Sequence, residues 1–298
     1  MGEGMIIIDW GSTNLRAKLV VNGRVEEQRA NGMGIKKVRQ GGFEEALVEL
    51  CGDWREGYPD FDILMSGMVG SREGWVEVPY CRTPAGVGDL AAAVVRLETV
   101  TMGDAYLVPG LRHDFPDGST DVMRGEETEV FGVLAKKAVG ALTVCAPGTH
   151  SKWVNCREGG IVDFRTWFTG EAFEKLTQDS LISGGGADGS GQIDDDAFVR
   201  GLALSEGAGG LLHHLFLGRT EMLTGRVAAE HLPGLVSGLL LGHEIREASQ
   251  FAKGSIQLIG NNQAAGVYGR AFEWLGLPYT RWDEDVHLAG MLALQEEL

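Results

Sequence analysis

Ile6-Ile7-Ile8-Asp9-Trp10-Gly11-Ser12-Thr13-Asn14-Leu15-Arg16 carries an apolar run into an acidic residue and a turn of small polar side chains. Alternation resumes through Leu15, Ala17, Leu19 and Val21, and Asn22-Gly23 forms a second turn. Period-two patterning on both sides of a Gly-Ser-Thr tip predicts the two strands of a hairpin. At the tip, Gly11 lets the backbone come close to an anion, and Ser12, Thr13 and Asn14 supply short donors. Asp9 repels a phosphate by itself, but it can hold a magnesium ion whose water shell meets phosphate oxygens. The tip is therefore expected to take a nucleoside triphosphate with its Mg2+, Asp9 being the metal ligand. The plainer alternative is a surface hairpin with a polar turn.

The 298 residues suffice for two domains or one large one. The apolar share of 44% and charged share of 23% are those of an ordinary globular protein. With 26 basic against 42 acidic residues the net charge is -16, which argues against nucleic acid and anionic membrane surfaces as partners. A local basic pocket for an anionic substrate is still compatible with that balance. No stretch reads as long and apolar enough to span a bilayer, and the start lacks the basic residues and apolar core of a signal peptide. Cys51, Cys81, Cys145 and Cys156 have no metal-binding spacing, so reduced thiols and a cytoplasmic location are expected.

Patterning predicts helices over residues 43–54, 90–97, 121–137, 171–181, 262–275 and 285–298, with further helices filling most of 197–250. Strands are expected at 62–68, 105–108, 141–146, 255–259 and 279–281, and a second hairpin at 152–156 with 160–166. Residues 183–196, rich in glycine and aspartate, read as a flexible solvated loop. Strand, glycine tip and strand thus occur twice, near 5–21 and again near 141–156, which suggests a bilobal α/β architecture.

The second tip is Pro147-Gly148-Thr149-His150-Ser151-Lys152-Trp153. Gly148 permits close approach, Thr149 and Ser151 can donate to phosphate oxygens, and Lys152 can neutralise charge that builds during transfer. His150 can donate to a phosphate or a substrate carboxylate, or be an ordinary turn histidine. Upstream, Arg124-Gly125-Glu126-Glu127-Thr128-Glu129 opens a helix. Acidic side chains there complement the helix dipole, but a carboxylate at a helix start also suits a base that accepts the proton of an attacking hydroxyl. Glu127 is the first choice for that base and Glu126 the second. At Gly260-Asn261-Asn262 a strand ends and a helix begins, and the glycine leaves room for a base or ribose. An asparagine-capped turn explains the same residues.

In their order along the chain these pieces resemble the hexokinase–actin–Hsp70 ATPase superfamily. Asp9-Trp10-Gly11-Ser12-Thr13 is similar to its first phosphate motif, Gly148-Thr149-His150-Ser151 to its second, Gly260-Asn261-Asn262 to its adenosine motif, and the helix around Ala289-Gly290 to a connecting helix. The whole chain further resembles the 2-dehydro-3-deoxygalactonokinase family. Residues 8–16, Ser66-Gly67-Met68-Val69-Gly70-Ser71-Arg72-Glu73-Gly74-Trp75, 122–128, 147–153, 168–171, 237–244 and 258–260 carry that resemblance.

The resemblance implies a two-lobed, ribonuclease-H-like α/β fold of the actin/hexokinase type with a central cleft. One lobe would hold residues 1–113 with 281–298, and the other 114–280. It implies an ATP- and Mg2+-dependent transfer of the γ-phosphate to the 6-hydroxyl of 2-dehydro-3-deoxy-D-galactonate. Asp9, Gly11, Ser12, Thr13, Asn14, Arg16, Gly148, Thr149, His150, Ser151, Gly260, Asn261 and Asn262 would bind the nucleotide. Glu127, Glu126 and Lys152 would serve catalysis. Ser66, Gly67, Met68, Ser71, Arg72 and Trp75 would meet the sugar acid, with Arg72 the first choice for its carboxylate because arginine binds carboxylates in a fork. A kinase for a related ketodeoxy acid or hexose, a non-sugar actin-like ATPase and a sugar-responsive regulator are the rival readings. The regulator would need an appended basic DNA-binding domain. The expected partners are small molecules, with assembly into a homodimer left open.

Overall fold

Met5, Ile6, Ile7 and Ile8 are all buried, which places their strand inside a sheet with both faces covered. This strand, β1 (Gly4–Trp10), is followed by β2 (Leu15–Val21), β3 (Arg24–Asn31), α1 (Phe43–Gly57), β4 (Asp62–Gly67), β5 (Cys81–Arg82), α2 (Val87–Ala92), β6 (Val95–Glu98), β7 (Asp104–Leu107), β8 (Leu111–Asp114), β9 (Thr120–Met123) and α3 (Glu126–Lys136). The computed structural model describes residues 4–137, 140–178, 180, 193–260, 262–282 and 285–298, and of Asn262 only the backbone.

A six-stranded sheet runs β3-β2-β1-β4-β7-β6. β1 pairs antiparallel with β2 and parallel with β4, so Asp9 stands opposite Arg16 on one side and Ser66 on the other. The expected hairpin is present, and Asn22 and Gly23 turn the chain at φ 51 and 72 into β3. Beneath the sheet, Trp10, Leu47, Trp54 and Ile63 belong to one buried core. Two expected elements differ. Residues 90–97 do not form one helix: α2 ends at Ala92, and Val95 and Leu97 pair with Leu107 and Ala105 across an antiparallel ladder. The β-branched Val94-Val95 step and the waiting β7 edge favour extension there. Similarly, Asp121 to Met123 pairs with β8 before Gly125, at φ 109, turns the chain into α3. The small sheet β5-β8-β9 was not signalled by patterning, because strands of two to four residues carry too little periodicity.

The remaining elements are β10 (Leu142–Ala146), β11 (Ser151–Arg157), β12 (Gly160–Trp167), α4 (Thr169–Gln178), α5 (Asp195–Leu204), α6 (Gly210–Leu223), α7 (Leu232–Phe251), β13 (Ser255–Leu258), α8 (Asn262–Trp274), β14 (Tyr279–Arg281) and α9 (Val286–Glu297). Their five-stranded sheet is ordered β12-β11-β10-β13-β14, with β13 parallel to both β10 and β14. Trp153, Phe198, Ile245 and Phe272 anchor its core. Of the acidic loop expected at 183–196, residues 183–192 lie outside the described residues. Asp194 instead caps α5, accepting from the Ala197 N–H at 2.8 Å.

Backbone contacts divide the chain into two units: Met1–Gly140 with Cys156–Phe164 and Glu284–Leu298, and Ala141–Asn155 with Arg165–Asp283. Residues 114–140, assigned by the sequence pattern to the second lobe, lie in the first unit. The packing of α3 on α9 explains this placement. A Cβ on Gly132 would stand 1.7 Å from the Val286 carbonyl oxygen, and one on Gly290 would stand 1.8 Å from that of Thr128. The two helix backbones therefore touch, and neither can yield to a methyl group. Gly132→Ala or Gly290→Ala is expected to lower the unfolding free energy by about 3 kcal/mol, read from urea denaturation.

Candidate active site

In the first unit the hairpin tip is tied down by its neighbour. Gly34 and Ile35 donate backbone N–H groups to the Thr13 and Gly11 carbonyls at 3.1 Å, and the Trp10 indole donates to the Met33 carbonyl at 2.9 Å. Gly11, Ser12, Thr13 and Asn14 are thereby held at the end of β1 in one backbone arrangement. Arg16 reaches across to Asp9, Nη1 to Oδ2 at 2.9 Å, with both side chains accessible to solvent. Such an exposed pair is worth little and readily gives way to another partner. A cavity of about 170 Å³ adjoins it, lined by Ile7, Asp9, Lys18, Glu129, Asp285 and His287 among others. Lys18 pairs with Asp285 there.

The acid-bearing start of α3 comes to the end of β4. A Cβ on Gly125 would lie 3.4 Å from the Gly67 Cα, so the two turns are in contact. Glu127 is completely buried, and both its oxygens accept the Gly125 N–H, at 2.9 and 2.7 Å. Burial, and then the neighbouring Glu126, push its carboxyl up to about 8. Burial and the charges of Glu126, Asp9 and Asp285 raise Glu129 to about 8 as well. Glu126 is partly accessible, and its Oε2 accepts the Arg124 N–H at 3.2 Å. Of the two glutamates singled out from the sequence, the first choice thus faces inward and closes the helix start, whereas the second reaches the surface.

The loop of residues 66–75 is partly enclosed and partly exposed. Ser66 is buried with its hydroxyl 2.8 Å from His287 Nε2, a partner 221 residues away that no local signal announces. Trp75 is partly buried. Its ring stacks on Phe43 at 6.0 Å and meets Trp10 edge-on at 6.3 Å, so it packs on the core, as Met68 also does. Arg72 is exposed, and Ser71 is buried.

In the second unit, the tip between β10 and β11 packs against the start of α4. Glu171 donates its N–H to the Thr149 carbonyl at 2.9 Å, and Gly170 is required because its Cβ would stand 2.3 Å from the Gly148 carbonyl oxygen. Gly148 and Thr149 are exposed. His150 Nε2 lies 2.8 Å from Glu171 Oε2, and its ring stacks on Phe168. Lys152 is buried and its ammonium donates to the His150 carbonyl at 3.4 Å, bracing the tip from beneath. The Ser151 hydroxyl, fully buried, donates to the Trp167 carbonyl at 3.4 Å. It and Thr169 also reach Glu244, whose carboxylate accepts the Trp153 indole at 2.9 Å and the Tyr268 hydroxyl.

Because β13 lies beside β10, Gly260 emerges next to Pro147, with φ 110 and its Cβ position 3.6 Å from the Pro147 carbonyl oxygen. Asn261 and the Asn262 side chain lie outside the described residues. A pocket of about 310 Å³ opens at this junction, lined by Gly148, Thr149, Phe173, Leu240, Ala264 and Tyr268 among others. Sequence reasoning missed its walls, since they come from α4, α7 and α8, whose apolar residues look like ordinary core. Among the described residues, no group of three or more His, Cys, Asp or Glu side chains is disposed to hold a metal.

Set beside known proteins, residues 9–294 match the family described as 2-keto-3-deoxy-galactonokinase. The chain belongs to that family. An Escherichia coli K12 member, 2-dehydro-3-deoxygalactonokinase, is 34% identical over 278 residues, covering 92% of this chain and 91% of its own. A Sinorhizobium meliloti protein solved as a candidate 2-dehydro-3-deoxygalactonokinase superposes with a TM-score of 0.87 at 28% identity, covering 98% of both chains. More distantly, the Clostridium difficile activator of 2-hydroxyisocaproyl-CoA dehydratase, solved with bound ADPNP, has a TM-score of 0.52 at 12% identity over 99% of this chain and 95% of that one. The fold of the family member described here is thus the α/β fold of actin- and hexokinase-type ATPases. Among the described residues no helix is long and apolar enough to cross a membrane.

The state of Glu127 has a consequence for stability. Unfolded, a glutamate releases its proton near 4.5, whereas folded Glu127 keeps it to about 8. Unfolding between those values releases a proton, so this group makes the protein less stable as pH rises through that window. Glu127→Gln is expected to flatten the fall by about 1–3 kcal/mol between pH 5 and 8, measured by denaturation across that range.

Proposed function

We propose that this chain transfers the γ-phosphoryl group of ATP to the 6-hydroxyl of 2-dehydro-3-deoxy-D-galactonate, with Glu126 as the base that accepts the hydroxyl proton. The observation that carries this reading is the contact in the first unit between the start of α3 and the end of β4, Gly125 against Gly67. It puts an accessible carboxylate beside the loop expected to meet the sugar acid. Glu127, with no exposed surface and both oxygens on a backbone N–H, is out of reach of a hydroxyl. Its part is to hold the Gly125 turn, and through it the direction of Glu126.

Within the first unit, Gly11, Ser12, Thr13 and Asn14 have the donors that suit phosphate oxygens. Within the second, Gly148, Thr149 and His150 offer donors of the same kind, and Lys152 and Ser151 brace that tip. The pocket beside Gly260 suits the nucleoside, being lined mainly by apolar side chains with a few polar ones. Asp9 fits Mg2+, which needs one or two carboxylates and otherwise keeps waters and phosphate oxygens as ligands. Its accessible carboxylate at the end of β1, held among the described residues by a weak pair with Arg16, meets that requirement. Magnesium, when bound, would offset phosphate charge and orient the γ-phosphoryl group. The net charge of -16 argues against nucleic acid and anionic membrane surfaces as partners, and the free cysteines fit a reducing cytoplasm.

ADP release coupled to addition of 2-dehydro-3-deoxy-D-galactonate tests the reaction, and the gluconate epimer and plain hexoses test its specificity. Glu126→Gln should lower kcat by about 10²–10⁴-fold, the usual contribution of a general base. Glu127→Gln should retain most of kcat, and the opposite result would exchange the two roles. Ala264→Leu, which narrows the pocket beside Gly260, should raise KM for ATP and leave KM for the sugar acid unchanged.

A further inference from the structure

Arg124 lies between β9 and the acidic start of α3, where its charge acts on the buried Glu127 carboxyl, and two of its three guanidinium nitrogens have no hydrogen-bond partner. Nη2 donates to the Val78 carbonyl at 2.7 Å, and the guanidinium carbon sits 4.4 Å over the Tyr80 ring. Nε and Nη1 are sealed from solvent without a hydrogen-bond acceptor, and so is the Ser71 hydroxyl. A Cβ on Gly70, the residue before Ser71, would lie 3.0 Å from Arg124 Nη1, so the backbone of the loop passes directly beside the guanidinium. Ser71 itself is only 6% exposed. Among the described residues, the other sealed and unsatisfied side-chain atom is Arg246 Nη1, whose guanidinium already donates to Ser205 through Nη2. Arg124 is therefore the poorly satisfied cation of the first unit, and it stands beside the sugar-acid loop.

We infer that Arg124, with the Ser71 hydroxyl, binds the carboxylate of the sugar acid and sets the preference for an acid over a neutral sugar. This assignment rests on the sugar-acid reading above. A buried guanidinium and hydroxyl left unpaired cost free energy that a bound anion returns, and a carboxylate answers neighbouring N–H and O–H donors together. The aromatic face of Tyr80 offsets only part of that cost. Nε and Nη1 are closed off from solvent, so the acid is received with a small shift of the guanidinium or of the Gly70–Ser71 segment. Two backbone bonds frame that segment, Ser71 N–H to the Met68 carbonyl and Val78 N–H to the Gly70 carbonyl, at 3.0 and 2.9 Å. Arg124 lies two positions before Glu126, so one strand-to-helix turn would hold the acid end of the substrate and present the base to its far hydroxyl. Arg72, exposed on the same loop, has the chemistry but not the enclosure.

The experiment compares 2-dehydro-3-deoxy-D-galactonate with its primary amide, which keeps every hydroxyl and loses the charge. In Arg124→Gln, kcat/KM for the acid should fall about 100-fold, the worth of a hydrogen-bonded charge, with the amide and KM for ATP nearly unchanged. Arg124→Lys, a point charge without the planar fork, should lose about 10-fold, and Ser71→Ala a similar amount on the acid alone. These two variants carry the test if Arg124→Gln does not fold. Calorimetric titration of the acid without nucleotide should give parallel losses of affinity. Equal loss on acid and amide, a rise confined to KM for ATP, or loss of acid preference in Arg72→Gln but not in Arg124→Gln overturns the assignment. Wild-type protein that neither binds nor phosphorylates any ketodeoxy acid overturns the sugar-acid reading and this one with it. Turnover by the wild type with unchanged acid binding by Arg124→Gln sinks the Arg124 assignment alone.

Discussion

Everything in the first unit is referred to the register of β1 between β2 and β4. The pairing is antiparallel on one side and parallel on the other, and it sets Asp9, Arg16 and Ser66 abreast at one end of the sheet. A slip of one residue would carry Asp9 toward a buried position and move every side chain of the strand to the opposite face, at the loss of the packing fitted to each. The apolar run of β1, covered on both faces, makes that slip costly. The position of the polar tip is therefore a consequence of the core and not of the tip's own residues.

The same logic explains why α3 delivers its carboxylates where it does. Its backbone lies directly on α9 through Gly132 and Gly290, so a helix contributed by the C-terminus holds a helix from the middle of the chain. From α9 also comes His287, which meets Ser66 at the end of β4. The last fifteen residues thus assist the placement of both the acidic turn and the loop after β4, and all of them belong to the first unit.

In the second unit a single buried carboxylate has a comparable role. Glu244 of α7 gathers Trp153, Tyr268, Ser151 and Thr169, which come from β11, α8 and the start of α4. Burial raises its pKa, and the hydrogen bonds it accepts lower it. A fully satisfied buried network of this kind rigidifies its surroundings, here the tip around Gly148 and the pocket beside Gly260.

Local patterning was enough to identify both hairpins, most helices, the two glycine tips and the acidic opening of α3, because these depend on periodicity and turn chemistry within a few residues. The family resemblance rested on the same short motifs in order. Patterning misread residues 90–97, where β6 takes its form from the edge of β7, and it missed the small sheet, whose strands exist only as partners of one another. It put Glu127 ahead of Glu126 without access to their burial, which is a property of the folded chain and leaves Glu127 enclosed and Glu126 partly accessible. It likewise offered Arg72 and Trp75 by residue type, whereas only packing shows that Trp75 leans on Phe43 and Trp10 and that Arg124 Nε and Nη1 are sealed from solvent. Local chemistry is written residue by residue, but accessibility, desolvation and partners hundreds of residues away arise only when distant segments exclude water from one another.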